Sequence, residues 1–147
     1  ITLQDNDAAY LYHDPCHSPM KQRDPMKTVQ ALVGPQVIKS ERCCGESGTL
    51  GVTRPDISTQ IRFRKEIEIR QGEAAVRALA PAAANVKILT SCPSCLQGLS
   101  RFGDDLQSGL LEADYIVVEM ARQLLGEDWM SEYVARANAG GIERVLV

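Results

Sequence analysis

Three short apolar runs in this chain are each cut off by a cysteine-bearing loop, and that recurrence restricts the folds open to it. Ala8-Ala9-Tyr10-Leu11-Tyr12 stops at Asp14-Pro15 and leads to Cys16, Gln36-Val37-Ile38-Lys39 leads to Cys43-Cys44-Gly45, and Asn85-Val86-Lys87-Ile88-Leu89-Thr90 leads to Cys92-Pro93-Ser94-Cys95. A short apolar run halted by a turn signal reads as a buried strand. Between the runs, apolar residues recur at helical spacing: Met26, Val29, Leu32 and Val33 before Gly34-Pro35, and later Leu96, Leu99 and Phe102 behind Pro93. Strands alternating with helices predict an α/β fold, a Rossmann-like parallel sheet with helices on both faces. Ligands of such sheets bind beyond the carboxyl ends of the strands. The three cysteine loops are therefore expected to converge on one edge, although 26 residues separate Cys16 from Cys43 and 47 separate Cys44 from Cys92.

The remaining elements are read from the same periodicities. Arg54-Pro55-Asp56 opens a helical stretch with Ile57, Ile61, Phe63 and Ile67 that closes near Ala80-Pro81; its Ile61/Phe63 and Ile67/Ile69 pairs also fit strand alternation, and Gly72 is a candidate interruption. Its charges Arg62, Arg64, Lys65 and Arg70 read as a solvated face. Tyr115-Ile116-Val117-Val118 reads as a further strand, followed by a helix through Met120, Ala121, Leu124 and Leu125. A helix from Asp128 is expected to pack Trp129, Tyr133, Val134 and Ala137, and Ile142 to Val147 to form a last strand.

All five cysteines lie in the three loops. Adjacent cysteines such as Cys43 and Cys44 do not readily bridge each other, because a disulfide needs both side chains aimed together within a narrow dihedral range. An odd count also argues against a closed disulfide framework. Thiolates crowded at one point suit a metal: mononuclear zinc takes four ligands and leaves one cysteine over, whereas an iron–sulfur cluster shares several irons among them. Glycines 45, 48 and 51 permit positive φ and close approach, so that backbone N–H groups can donate to sulfur. Cys92 falls at a helix N-terminus, where the partial positive charge favours a thiolate. His13 and His17 flank Cys16 and are candidates for proton transfer. Glu46 and Arg42 could tune a centre, meet an anionic substrate, or pair with each other.

At 147 residues, 44% of them hydrophobic, the chain fits one domain, 1–147, with its motif core at 10–102. A net charge of -3 supplies no broad basic surface for nucleic acid. No apolar run reaches the roughly 18 residues that span a bilayer. Unpaired cysteines with metal-type placement suit a reducing compartment, so a cytoplasmic location is expected. Ile1 and the polar Gln4-Asp5-Asn6-Asp7 resemble a domain boundary, and the chain is expected to be a module excised from a larger protein.

Tyr12-His13-Asp14-Pro15-Cys16-His17, Arg42-Cys43-Cys44-Gly45-Glu46-Ser47-Gly48 and Cys92-Pro93-Ser94-Cys95, in that order, resemble the cysteine-rich CCG domain. That domain occurs in heterodisulfide reductases, glycolate oxidase iron–sulfur proteins, lactate-utilisation proteins and anaerobic glycerol-3-phosphate dehydrogenases. The resemblance implies that Cys16, Cys43, Cys44, Cys92 and Cys95 ligate a [4Fe–4S]-type cluster, of non-cubane form in heterodisulfide reductase, with Gly45 lining it. It further implies an electron-transfer module, the C-terminal part of a larger flavin-linked 2-hydroxyacid oxidoreductase. The FAD would lie in a flavin oxidase domain or subunit outside this chain, and an electron acceptor would complete the partners. Two alternatives stand beside this reading: a zinc-stabilised structural or interaction module, and a cluster- or dithiol-based disulfide reductase.

Overall fold

A computed structural model describes residues 8–20, 22–46, 49–105 and 111–141. Its centre is β1 (Ala8–His13), which pairs in parallel with β2 (Val37–Ser40) on one side and β3 (Asn85–Thr90) on the other; β3 pairs in parallel with β4 (Glu112–Tyr115). The strand order is β2-β1-β3-β4. The chain thus winds outward one way from β1 to β2, then returns past β1 to β3 and β4, which puts the topological switch between β1 and β3. Register aligns the strand ends: His13 lies opposite Ser40 and Thr90, and Thr90 opposite Tyr115. The loops that follow therefore leave from one edge.

The direction of each crossover sorts the helices by face. α1 (Pro25–Val33) connects β1 to β2, while α3 (Pro55–Leu79) and α4 (Pro93–Asp105) belong to the crossovers running the other way; a single turn, α2 (Leu50–Thr53), precedes α3. The alternation of β1 records the division. Ala9 and Leu11 pack with Ile69 and Val76 of α3 and with Leu99 and Phe102 of α4, whereas Tyr10 and Tyr12 pack with Val29 and Val33 of α1 and with Ile116 of α5 (Ile116–Leu125). By the same period of two, His13 belongs to the α3/α4 side. The expected parallel α/β sheet with helices on both faces is the observed architecture.

Local chemistry explains the helix ends. The Asp24 carboxylate accepts from the Met26 and Lys27 N–H groups at 2.9 and 3.4 Å, Pro25 occupies the first turn of α1, and Gly34 ends it with φ 94°. Pro55 opens α3, which runs 25 residues without a break, about 37 Å at 1.5 Å per residue. Gly72 does not interrupt it. A Cβ there would stand 3.0 Å from Leu11 Cδ2, so the glycine lets the helix approach β1.

Three expectations need correction. The strand at Tyr115–Val118 is displaced: β4 ends at Tyr115, and Ile116 begins α5. The β-branched run has strand propensity, but the register of β4 on β3 ends at Tyr115, and beyond it the chain packs with helical period. Ile116 and Glu119 are buried while Val117 is exposed, and Tyr10 donates a 2.7 Å hydrogen bond to Glu119. The helix beyond Asp128, α6 (Trp129–Arg136), buries none of its residues; Tyr133 and Val134 face outward. The charges of α3 do not form a single solvated face, since Lys65 is completely buried and Arg62 lies 5.8 Å over the Phe102 ring. The last strand, Ile142 to Val147, lies outside the described residues, as do Ser47 and Gly48 of the second cysteine motif. No helix of the described residues is long and apolar enough to cross a membrane.

Candidate metal centre

The aligned strand ends bring the three cysteine loops together. Cys44 and Cys95 are buried with their sulfurs 3.4 Å apart. That is far beyond the ~2.05 Å of a disulfide, and all five cysteines are free. A nitrogen of His13 joins the two sulfurs in a buried group whose candidate ligand atoms all lie within 4.8 Å of one another. Cys92 packs against the buried core that contains Cys44 and Cys95. Cys16, exposed beyond β1, lines the same cavity as Cys43, which adjoins Cys44 in the chain. The compact group itself holds only Cys44 and Cys95 of the five. His17 stays exposed on the turn after Cys16.

The loop between β2 and α2 is shaped by particular partners. Gly45 has φ 83° and donates its N–H to Cys43 Sγ at 3.4 Å, the kind of N–H···S bond that a glycine turn makes possible. A Cβ on Gly45 would meet Ile61 Cγ2 at 3.3 Å and the Ser58 carbonyl at 3.4 Å, and Ser58 Oγ donates to the Gly45 carbonyl at 3.0 Å. Glu46 turns inward and pairs with Arg101 of α4 rather than with Arg42. Gly98 makes room for it, because a Cβ at that position would stand 2.5 Å from Glu46 Cγ. Cys92 caps α4: its carbonyl accepts from Leu96 N–H at 2.9 Å, with Pro93 in the first turn.

The electrostatics are those of thiols sharing a proton. The hydrogen bond shared by Cys44 and Cys95, against the opposing cost of burial and with help from His13, holds the Cys44 thiol down at about 4. Cys95 is correspondingly pushed far above the ordinary thiol range, by that same hydrogen bond and by burial. Burial also raises Cys43, with the Gly45 N–H opposing and the neighbouring Cys44 and Cys16 thiols adding. The pair thus favours a thiolate on Cys44 and a thiol on Cys95.

Beneath it sits Lys65. Its ammonium lies 2.5 Å from Ser40 Oγ, 2.7 Å from Glu68 Oε2 and 3.2 Å from His13 Nδ1. Burial lowers the Lys65 pKa, and the hydrogen bond and charge of Glu68 oppose that. Burial works against the Glu68 carboxylate, but Lys65 and the N–H groups of Arg42 and Glu41, at 2.9 and 2.5 Å, hold it below its ordinary range. Glu68 thus fixes the start of the Cys43-Cys44 loop and neutralises the lysine at once. Lys65, Glu68, Ser40 and Arg101 escape a reading that follows only cysteine and histidine. A signal for Lys65 did exist: it lies at helical spacing from Ser58, Ile69 and Val76, the other buried residues of α3.

The donor set fits a thiophilic metal. Soft thiolates select zinc, copper(I) or iron–sulfur centres, and His13 Nε2 is a buried nitrogen with no hydrogen-bond partner. A cavity of about 250 Å³ opens beside Cys16, Cys43 and His13, with Lys39 and Glu41 at its wall. A single water needs only about 10–15 Å³, so there is room for a group of several atoms.

A family model described as "Cysteine-rich domain" (CCG) matches residues 10–100, and a second, "Domain of unknown function (DUF3400)", matches residues 100–147. Neither a curated protein nor a solved structure matches the chain.

Proposed function

Because the chain belongs to the cysteine-rich CCG domain family, we propose that it is an iron–sulfur redox module whose ligands are Cys16, Cys43, Cys44, Cys92 and Cys95. In this reading it passes electrons between a flavin site in a partner domain or subunit and an acceptor, within a 2-hydroxyacid oxidoreductase of the glycolate or lactate type. The observation that carries the cluster is the gathering of all five cysteines at one end of the sheet, Cys44 against Cys95, Cys92 packed against their core, and Cys16 and Cys43 on the adjoining cavity, one thiol more than a tetrahedral mononuclear site takes. The flavin and hydroxyacid context rests on the resemblance of the three cysteine motifs to those of glycolate oxidase iron–sulfur proteins.

A cluster supplies one-electron redox chemistry at a potential that its surroundings tune. The surroundings here are specific. They lower the Cys44 pKa and so favour the thiolate that metal ligation requires. Gly45 supplies an N–H to Cys43 Sγ. Lys65 places a cation behind the thiolates, which makes a reduced, more negative centre easier to hold. Burial of Cys44 and Cys95 excludes water from the inner side, while Cys16 and the cavity leave the outer side open.

One observation favours a second reading, zinc. Two thiolates on one tetrahedral ion with 2.3 Å bonds stand about 3.8 Å apart, close to the 3.4 Å between Cys44 and Cys95. The deciding experiment is iron, acid-labile sulfide and zinc content of anaerobically purified and reconstituted protein, with an absorption spectrum, for wild type and Cys43→Ser. About four irons and four sulfides per chain, lost or altered in the variant, support the cluster; one zinc and no sulfide refutes the redox reading.

A further inference from the structure

We propose that Lys65 is a positioning residue that fixes His13 as its Nε2–H tautomer, so that His13 serves the thiolate cluster as an N–H donor to sulfur and not as a metal ligand. The inference rests on the metal-centre reading of the five cysteines. Taken by distance alone, His13, Cys44 and Cys95 form a ready three-ligand set, and histidine beside cysteine is an ordinary zinc pairing. The hydrogen-bond inventory around Lys65 points the other way.

The accounting starts from Glu68. Its carboxylate is acceptor-only and takes the N–H groups of Glu41 and Arg42 on Oε1. On Oε2 it takes the Ser40 hydroxyl at 3.2 Å and Lys65 Nζ at 2.7 Å. The Ser40 proton is thereby committed to Glu68, so the 2.5 Å contact between Lys65 and Ser40 Oγ uses a lysine proton. A second lysine proton goes to Glu68. The third is left for His13 Nδ1, 3.2 Å from Nζ. The ion pair with Glu68 at 2.7 Å keeps Lys65 an ammonium; an ammonium has three donors and no lone pair, so Nδ1 accepts, and a neutral imidazole that accepts at Nδ1 carries its proton on Nε2.

Metal ligation by histidine needs the opposite arrangement. The ligating nitrogen offers a lone pair, and the other donates its N–H to a carboxylate or carbonyl that orients the ring. Here the orienting group behind the ring is a cation, and the free nitrogen, Nε2, is buried with no hydrogen-bond partner. Its ring belongs to the compact group containing the Cys44 and Cys95 sulfurs. A sulfur acceptor, from a cysteine thiolate or an inorganic sulfide, satisfies that Nε2–H; a metal ion does not.

The placement also accounts for an otherwise costly residue. A fully buried lysine needs compensation, and a partner carboxylate alone would make it only an internal ion pair. Its third donor contact, to the ring on the last residue of β1, connects it to the sulfurs. α3 supplies this control from a helix that carries no cysteine, leaving the cysteine loops free to supply only thiolates.

The test begins on metal-free wild-type protein under reducing conditions, with ¹⁵N-labelled histidine and the tautomer of His13 read by long-range ¹⁵N–¹H correlation. The expected result is one tautomer, protonated at Nε2 and bare at Nδ1. A proton on Nδ1, in either the neutral ring or an imidazolium, overturns the proposal. In Lys65→Met the fixed tautomer should be lost; its persistence also overturns the proposal, and should that variant fail to fold, the wild-type spectrum decides alone. The same protein is then reconstituted with ferrous iron and sulfide and examined for ¹⁵N hyperfine coupling from His13. Weak coupling through a hydrogen bond is expected, and the strong coupling of a directly bonded nitrogen would refute the assignment. Because the tautomer is read without metal, a site that proves to hold zinc, or nothing, fails the redox reading and leaves this result standing.

Discussion

Gly45 and Gly34 offer a matched pair of substitutions that separates the shape of the cysteine loop from the stability of the fold. Both have positive φ, 83° and 94°. An alanine at either position meets a sparsely populated backbone region costing about 1–3 kcal/mol, offset by roughly 0.4–1 kcal/mol from the reduced freedom of the unfolded chain. Around Gly34 nothing lies within 4 Å of the added Cβ, so Gly34→Ala should show that net loss, on the order of 1–2 kcal/mol. Around Gly45 the Cβ meets Ile61 Cγ2 at 3.3 Å and the Ser58 carbonyl at 3.4 Å, which must give by a few tenths of an ångström. Relief by rotation of the peptide would move the Gly45 N–H away from Cys43 Sγ and shift the adjoining Cys44. Urea unfolding of the metal-free variants should therefore place both within about 1 kcal/mol of each other, since an alanine at either must adopt a positive φ. Metal retention, followed by chelator challenge after anaerobic reconstitution, should fall in Gly45→Ala alone. Equal retention in the two variants would refute the claim that Gly45 shapes the site. Equal loss would show that metal binding simply follows global stability.

Arg101→Met should leave the buried Glu46 carboxylate without its cation and cost about 1–3 kcal/mol in urea, discounted from a fully buried pair because Arg101 is partly exposed; a change below about 0.5 kcal/mol would mean the pair is solvent-screened. Leu11→Ala, at the centre of the α3/α4 core and against Gly72, should cost about 2–5 kcal/mol in the same assay. The lowered Cys44 pKa predicts a pH dependence in the metal-free protein. A depressed folded-state value gives stability that is full above the unfolded thiol range, near about 8.5, and is lost as pH falls toward about 4. The stability difference between wild type and Cys44→Ala should therefore grow from about pH 5 to about pH 8, with a slope of at most ~1.4 kcal/mol per pH unit for one proton. A flat difference in reduced, chelated samples would mean that Cys44 stays protonated.

What the sequence disclosed and what it hid have different physical origins. The first three strands and their cysteine loops were legible because a buried strand and its turn are local patterns, and because thiols have few uses in adjacent pairs. The boundary at Tyr115 was not, since Ile116-Val117-Val118 has the composition of a strand. Only the register of β4 on Thr90 and the hydrogen bond from Tyr10 to Glu119 make it the start of α5. The exposed apolar side chains of α6 could not be foreseen either, because periodicity names an apolar face without naming what covers it.

The environment of the thiolates was concealed for a subtler reason. α3 buries four residues, Ser58, Lys65, Ile69 and Val76, and the two polar ones are those that reach the strand-end loops. Ser58 holds the Gly45 carbonyl, and Lys65 holds His13 and Ser40. Read one at a time, a serine and a lysine on a charged helix are surface residues. Read on the helical stripe with Ile69 and Val76, they are polar groups in a place where desolvation must be compensated, and compensation requires a partner with chemistry of its own. Exceptions to an apolar stripe are thus the sequence's record of the site that the helix supports. In this chain that record lies in α3, a long helix without a cysteine.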